Sequence, residues 1–224
     1  GEMVAYRPTA ETNPQELAEL MVGRKVLLNV DKSEAEPEET RIEVKDVSYF
    51  DDRGVKRLKN LNFHVKAGEI LGVAGVSGNG QSELLHVLSG TLVPQEGELR
   101  VSTSKGSHQF TSSVNRDAAL MRELSIGHIP EDRIKQGLVK TMPAAENAIL
   151  GFHHNEEYGS KLLDLKAIDG ATRDMMEQYD VRPVDPHLKS ANFSGGNQQK
   201  LIIAREMLKH PDVILVGQPT RGVD

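Results

Sequence analysis

The chain has 224 residues, 38% of them hydrophobic, and a formal charge of −6. That length holds one medium domain plus a smaller appendage, with enough apolar residues for a packed core. The acidic balance argues against a nucleic-acid partner, whose phosphates need a basic patch. Cysteine is absent, which excludes disulfide scaffolds and cysteine-ligated zinc and fits a reducing compartment. No apolar run approaches a membrane span, and the opening GEMVAYRPTA lacks the apolar stretch of a signal peptide. The expectation is a soluble, cytosolic protein that reaches a membrane only through a partner.

In chain order, Asn13 can cap a short helix over QELAELMVGR, with Pro14 at its first position and Gly23 at its stop. Leu17, Leu20 and Met21 share one face, which needs a partner because so short a helix is marginal alone. An apolar triplet at 26–28 and an acidic stretch at 33–39 follow; the latter reads as a solvated linker. A new domain starts near Arg41. RIEVKDVSYF alternates like a strand, and LNFHVKAGEI predicts another. Residues 69–75 read as a buried strand entering a glycine-rich turn. Residues 81–88 are helical in character and stop at Gly90. Short strands are predicted at 97–101 and 108–111, a helix at 115–124 and a strand at 125–129. Residues 142–180 read as mostly helical, and Pro183 and Pro186 mark a loop. FSGGNQQK at 193–200 opens a helical run ending near Lys209, ahead of an apolar strand at 213–216. Strands alternating with helices imply a largely parallel α/β core.

Three stretches carry chemistry. The first runs Gly75, Val76, Ser77, Gly78, Asn79, Gly80, Gln81, Ser82, Glu83. It sits between a predicted strand and a helix, the context of the phosphate-loop pattern G-x-x-x-x-G-K-[ST]. Gly75, Gly78 and Gly80 let the backbone curl and turn its N–H groups inward, and Ser82 can offer a hydroxyl to a metal. The lysine position holds Gln81. An amide can donate a hydrogen bond to phosphate, but it brings no charge to balance the β- and γ-phosphates. Taken alone, the stretch is equally a plain glycine-rich turn. The second is Ser194, Gly195, Gly196 and Asn197. Small residues after a hydroxyl expose N–H groups at a helix N-terminus, which favours an anion. The third is IPEDRIKQGLV at 129–139, by itself a charged surface turn.

The order of these stretches, closed by VILVGQPTRGVD at 213–224, resembles the nucleotide-binding domain of ABC transporters, whose signature is LSGGQ-like. The LSGGNQQK form is typical of their sugar and nucleoside importers. The resemblance covers nearly the whole chain. It implies a P-loop NTPase fold of the α/β class, with a parallel core sheet, flanking helices, an antiparallel β subdomain and a helical subdomain (about 131–195) carrying the signature. LAELMVGR at 17–24 resembles the tail that joins the first nucleotide-binding domain to the second in fused importer ATPases. Residues 1–40 are then that tail plus a linker, and 41–224 the second domain, stopping after the D-loop and before the family's switch histidine.

The same resemblance implies ATP and magnesium as cofactors. The family's Walker B strand ordinarily ends in an aspartate for the metal and a glutamate that polarises water; those places hold Gly217 and Gln218. Lysine, metal carboxylate and general base are thus all missing from one site. Glu131 falls where other domains carry the Q-loop glutamine, which touches metal and water. Tyr49 or Phe50 is a candidate to stack on adenine, although a core or sheet-face role suits either equally. The eight histidines show no metal-ligand spacing, and His153–His154 reads as a loop pair. ABC domains work as head-to-tail pairs, each ATP lying between one domain's phosphate loop and the other's signature. The implied reading is a half with little ATPase activity alone, whose Ser194, Gly195, Gly196 and Asn197 complete a partner's site. Implied partners are the first nucleotide-binding domain of the same polypeptide, membrane permease subunits and, indirectly, an extracytoplasmic binding protein, at the cytoplasmic face of a bacterial membrane. A non-hydrolysing nucleotide-binding or docking module, or a non-transport ABC protein, are the alternatives.

Overall fold

The computed structural model describes residues 3–22, 36–114 and 116–218. The chain forms two compact units, Gly1–Glu36 and Pro37–Asp224. In the first, α1 spans Pro14–Val22 after a 3-10 turn at Thr9–Glu11. Asn13 Oδ1 accepts the N–H of Glu16 at 2.9 Å, the side-chain cap its sequence predicts. Arg7 Nε donates to Glu16 at 2.8 Å and holds that carboxyl below its ordinary range. The expected stop at Gly23, the triplet at 26–28 and the start of the acidic stretch lie outside the described residues.

The second unit carries two sheets. Strands β1 (Thr40–Phe50), β2 (Lys56–Lys66), β3 (Glu96–Thr103) and β4 (Gly106–Thr111) form an antiparallel sheet in the order β2-β1-β3-β4. The alternation of β1 buries Ile42 and Val44, and a bulge before Val47 shifts the phase so that Val47 also faces inward. Gly97 closes against that bulge. It has φ 84°, and a Cβ there would lie 2.5 Å from the Asp46 carbonyl. Beneath the sheet, Leu84, Val87 and Leu88 of α2 (Gln81–Leu88) join Leu99, Val101, Met121, Leu124, Ile126 and Leu215 in one apolar core.

The parallel sheet consists of β5 (Ile126–Ile129) and β6 (Val213–Val216), paired from Ile126–Val213 to Ile129–Val216. The predicted parallel core is therefore two strands wide among the described residues. Residues 69–75, expected as a buried strand, form none. Ile70 is 92% and Val73 58% exposed. An apolar run becomes a strand only when a neighbour takes its N–H and C=O groups. Here a cleft of about 790 Å³ separates the segment from β6, so its backbone stays solvated.

The remaining elements form a helical layer. They are α3 (Ala118–Glu123), a π-helical turn (Arg133–Gly137), α4 (Ala144–Ala148), α5 (Leu165–Gln178) and α6 (Gly195–Met207). Residues 149–164, expected to continue a helix, are turns with one 3-10 turn at Glu156–Tyr158. Gly151 and Gly159 break the run at positive φ, and Asp164 restarts it by capping Lys166 and Ala167. Met175 and Met176 of α5 pack with Leu201, Ile202 and Ala204 of α6 and with Phe193 and Ile129, forming a second core. Among the described residues no helix is long and apolar enough to cross a membrane.

Candidate functional site

The glycine loop opens α2. Gly78 and Gly80 have φ 89° and 98°, conformations a side chain would strain. Gly80 also backs onto β2, where a Cβ would meet the Arg57 carbonyl at 2.8 Å. The Asn79 N–H closes a turn onto the Val76 carbonyl at 3.2 Å. Gln81 donates from Nε2 to that same carbonyl at 3.3 Å, so its amide lies across the loop beside Gly75. Val76 is exposed, and Glu83 is half-buried on the first turn of α2.

One residue into α2, the Ser82 hydroxyl donates to Glu131 Oε2 at 2.6 Å. Glu131 comes from the turn that follows β5. Gly217 continues β6, its N–H donating to the Ile129 carbonyl at 2.8 Å. A Cβ on Gly217 would lie 2.6 Å from Glu131 Cγ, 2.7 Å from Leu85 Cδ2 and 2.9 Å from the Glu131 nitrogen. The 790 Å³ cleft is lined by Gly75, Ser77, Gly78, Gln81, Ser82 and Glu131, and also by Gly217 and Gln218. The glycine loop, Glu131 and the end of β6 thus converge, although they are far apart in the chain. The final residues of the β6 motif, 219–224, lie outside the described residues. Neither Tyr49 nor Phe50 lines the cleft. Tyr49 packs against the first core, and Phe50 lies under the Lys56 ammonium at 5.2 Å with its backbone bridged by the Gln95 amide.

Ser194, Gly195, Gly196 and Asn197 lie away from this cleft, at the start of α6. Ser194 is exposed and caps the helix. Its Oγ accepts from the Asn197 backbone at 3.3 Å and from Asn197 Nδ2 at 3.0 Å. Asn197 Oδ1 accepts the Arg182 N–H at 2.8 Å, which ties the preceding loop to the motif. Gly195 and Gly196 are half-buried, and a Cβ on Gly196 would meet nothing within 4 Å. Lys200, one turn on, donates to the Asp180 carbonyl at 2.8 Å and carboxylate at 3.1 Å. With Arg182 it holds the Asp180 carboxyl below its ordinary range.

Sequence reading did not single out the polar network behind the motif. Gln198 is buried and donates to the Ser190 carbonyl at 2.9 Å. Asn147, also buried, bonds the Val139 backbone in both directions (2.8 and 3.0 Å) and the Ser190 hydroxyl at 2.9 Å. Arg205 donates to the Gly137 and Asn147 carbonyls and to Glu206; burial depresses its pKa against the pull of Glu206. Paired glutamines at 198–199, on what would be an apolar helix face, were the available signal.

Among the described residues no group of three or more His, Cys, Asp or Glu could hold a metal unaided. Ser82 and Glu131 do offer two hard oxygens 2.6 Å apart beside the glycine loop. That set suits magnesium, which takes few protein ligands and leaves the rest to phosphate and water. The residues present therefore fit a magnesium nucleotide, with neither a cation at 81 nor an acid at 217.

A glycine loop opening a helix beside parallel strands, with an antiparallel sheet and a helical layer bearing SGGN, defines a P-loop nucleotide-binding cassette. The chain belongs to the ABC transporter family, whose model matches residues 58–221. It is 41% identical to the nucleoside import ATP-binding protein NupA of Lactococcus lactis subsp. cremoris over 213 residues, 94% of this chain and 40% of that protein. It is 38% identical to the guanosine import ATP-binding protein NupO of Bacillus subtilis, over 100% of this chain and 43% of that one. The ribose import ATP-binding protein RbsA of Chromobacterium violaceum is 33% identical, with 100% and 42% covered. The chain thus spans about two fifths of these relatives' length. Among solved structures, MJ0796, a bacterial ABC transporter cassette seen as a dimer, matches with TM-score 0.64 and 25% identity, over 82% of this chain and 76% of that one.

Proposed function

We propose that this chain is the second, degenerate ATP-binding domain of an ABC importer for nucleosides or simple sugars. In this reading its own glycine loop holds ATP with little hydrolysis, and Ser194, Gly195, Gly196 and Asn197 complete the ATP site of a partner cassette in the same polypeptide. Bound magnesium would neutralise phosphate charge in the cleft, with Ser82 and Glu131 as the residues that hold it. Gln81 orients phosphate through its amide without balancing charge, and neither Gly217 nor Gln218 can draw a proton from water. The permease and an extracytoplasmic binding protein would select cargo, with the domain at the cytoplasmic face of the membrane.

The observation that carries the reading is the separation of two features. Residues 81, 217 and 218 line one cleft and bring it no lysine, metal aspartate or general base at those positions, while the SGGN helix start, with Ser194 exposed, lies outside it. The similarity to nucleoside, guanosine and ribose import proteins supports the cargo class.

The purified chain is expected to show negligible magnesium-dependent ATPase activity. In the polypeptide that pairs it with a competent cassette, Ser194→Ala should lower turnover by about 10²-fold, the scale for one lost donor to a transferring group. Brisk turnover by the chain alone, or no effect of Ser194→Ala on the paired protein, would overturn the proposal.

A further inference from the structure

A second cavity lies in the helical layer and shares no lining residue with the cleft at the glycine loop. It has a volume of about 160 Å³ and sits between the end of α4, the turn at Glu156–Tyr158, the middle of α5 and the end of α6. A cavity of about that size holds one benzene-sized molecule. Its walls are of two kinds. Ile149, Met175 and Leu208 make one part apolar, and Thr172, Tyr158, Arg205 and Lys209 make the other polar.

The polar part is incomplete as it stands. Thr172 is 1% exposed, yet its Oγ1 has no hydrogen-bond partner among the described residues. A covered hydroxyl in that state is rare in folded proteins and marks a place where something else enters. Positive charge is also in excess there. Arg205 is paired with Glu206 and Lys209 with Glu157. Arg122 stands over the Phe152 ring at 5.0 Å, the ring that Lys209 also covers at 5.3 Å, and it forms no ion pair among the described residues. Lys209 itself has a fixed seat and a removable partner. Its ammonium lies over the Tyr158 ring at 4.8 Å and donates to Tyr158 Oη at 2.8 Å. The Glu157 side chain that pairs with it is 54% exposed, so water can take that carboxylate back at little cost.

We propose that this cavity is a ligand site for a small monocarboxylate with a short hydrocarbon body. The carboxylate accepts the Thr172 hydroxyl hydrogen and pairs with Lys209 in place of Glu157, which turns out to water. The hydrocarbon part lies against Ile149, Met175 and Leu208. Arg205 is a positioning residue, because its guanidinium already donates to the Gly137 and Asn147 carbonyls and to Glu206. Inorganic phosphate fits poorly, since its further oxygens would face the apolar wall without donors.

The test is titration of the full chain with butyrate, read by nuclear magnetic resonance of the methionine methyl groups, with Met175→Leu assigning the signal at the cavity. Butyrate should shift the Met175 signal saturably, with millimolar affinity. Butyramide, its neutral isostere, should bind about tenfold more weakly. Thr172→Val keeps the shape and removes the hydroxyl; it should weaken butyrate by about tenfold, as should Lys209→Gln. Glu157→Gln frees the ammonium and should tighten butyrate by about threefold. Should Lys209→Gln fold poorly, Thr172→Val and Glu157→Gln decide. No saturable shift with butyrate overturns the site and leaves a cavity filled by water. Equal binding of phosphate and butyrate, or a butyrate affinity unchanged in both Thr172→Val and Glu157→Gln, overturns the carboxylate assignment.

Discussion

At the scale of single residues, buried charge sets a pH dependence that can be worked out in sign. His128 sits in β5 with its Nε2 shielded from water and without a hydrogen-bond partner among the described residues. Burial pushes its pKa from the ordinary 6.5 down to about 4, against the attraction of Glu206 and with the help of His86, Arg122 and Arg205. The folded state thus prefers neutral imidazole. Between pH 6.5 and 4 the unfolded chain binds the extra proton, so the contribution is fully present above pH 6.5 and is lost as pH falls towards 4. By pH 4.5 the loss should amount to roughly 2–3 kcal/mol. Urea unfolding of wild type and His128→Phe at pH 7.5 and 4.5 measures it. The wild type should lose that much more than the variant, and equal losses would show that His128 titrates freely. None of this was visible in the sequence, where His128 is one of eight histidines without ligand spacing. The neutral residues Gln81, Gly217 and Gln218 were legible because each stands at a fixed offset within a local pattern. The Ser82–Glu131 bond joins residues 49 apart, and no local pattern encodes that distance.

At the scale of elements, β1, β3, β4 and the start of α6 were readable because period-two alternation and an N-cap are local signals, whereas β2 runs over Lys56–Lys66 and not over the expected 61–70. What joins the elements was not readable. In the sequence Asn147 closes an Ala145–Glu146–Asn147 stretch that fits the family and is equally a plain helix; in the structure it is fully buried and clips the 138–143 segment to Ser190 from α4. Its amide accepts the Val139 N–H and donates to the Val139 carbonyl, so truncation leaves a buried donor and acceptors without partners. Each such group costs about 1–3 kcal/mol. Asn147→Ala should lower unfolding stability by about 3 kcal/mol, whereas Glu146→Ala, its exposed neighbour, should cost under about 0.5 kcal/mol. Denaturant midpoints with unchanged slopes would report this directly. Similar costs for the two variants would mean that water replaces the clip. The same network runs on through Gln198 and Arg205 of α6, so the start of the SGGN helix is braced from behind by polar contacts as well as by apolar packing.

At the scale of the molecule, the sequence implied a largely parallel core, and the described residues form a parallel pair beside a four-stranded antiparallel sheet. The difference lies in residues 69–75. Their composition suits a buried strand, but composition does not supply a neighbour, and pairing is what stabilises a strand. Ile70, Leu71 and Val73 remain exposed, the cleft lies between them and β6, and the glycine loop hangs from the end of this segment. The phosphate loop is therefore anchored firmly on one side, by α2, and loosely on the other. Local opening free energy follows the density of buried contacts and protected hydrogen bonds, which is high in β1 and β3 and low in this segment. Hydrogen-exchange mass spectrometry should find the amides of 70–74 exchanging within seconds at neutral pH, while those of Val44, Leu99 and Val101 persist at least 10³-fold longer. Protection of 70–74 equal to that of β3 would mean that the segment is paired in solution and that the cleft is closed. The loose side is also the side a ligand would order. Magnesium ATP, if held as proposed by Gln81, Ser82 and Glu131, should slow exchange at 76–82 more than at 70–74, because the loop residues would touch it directly.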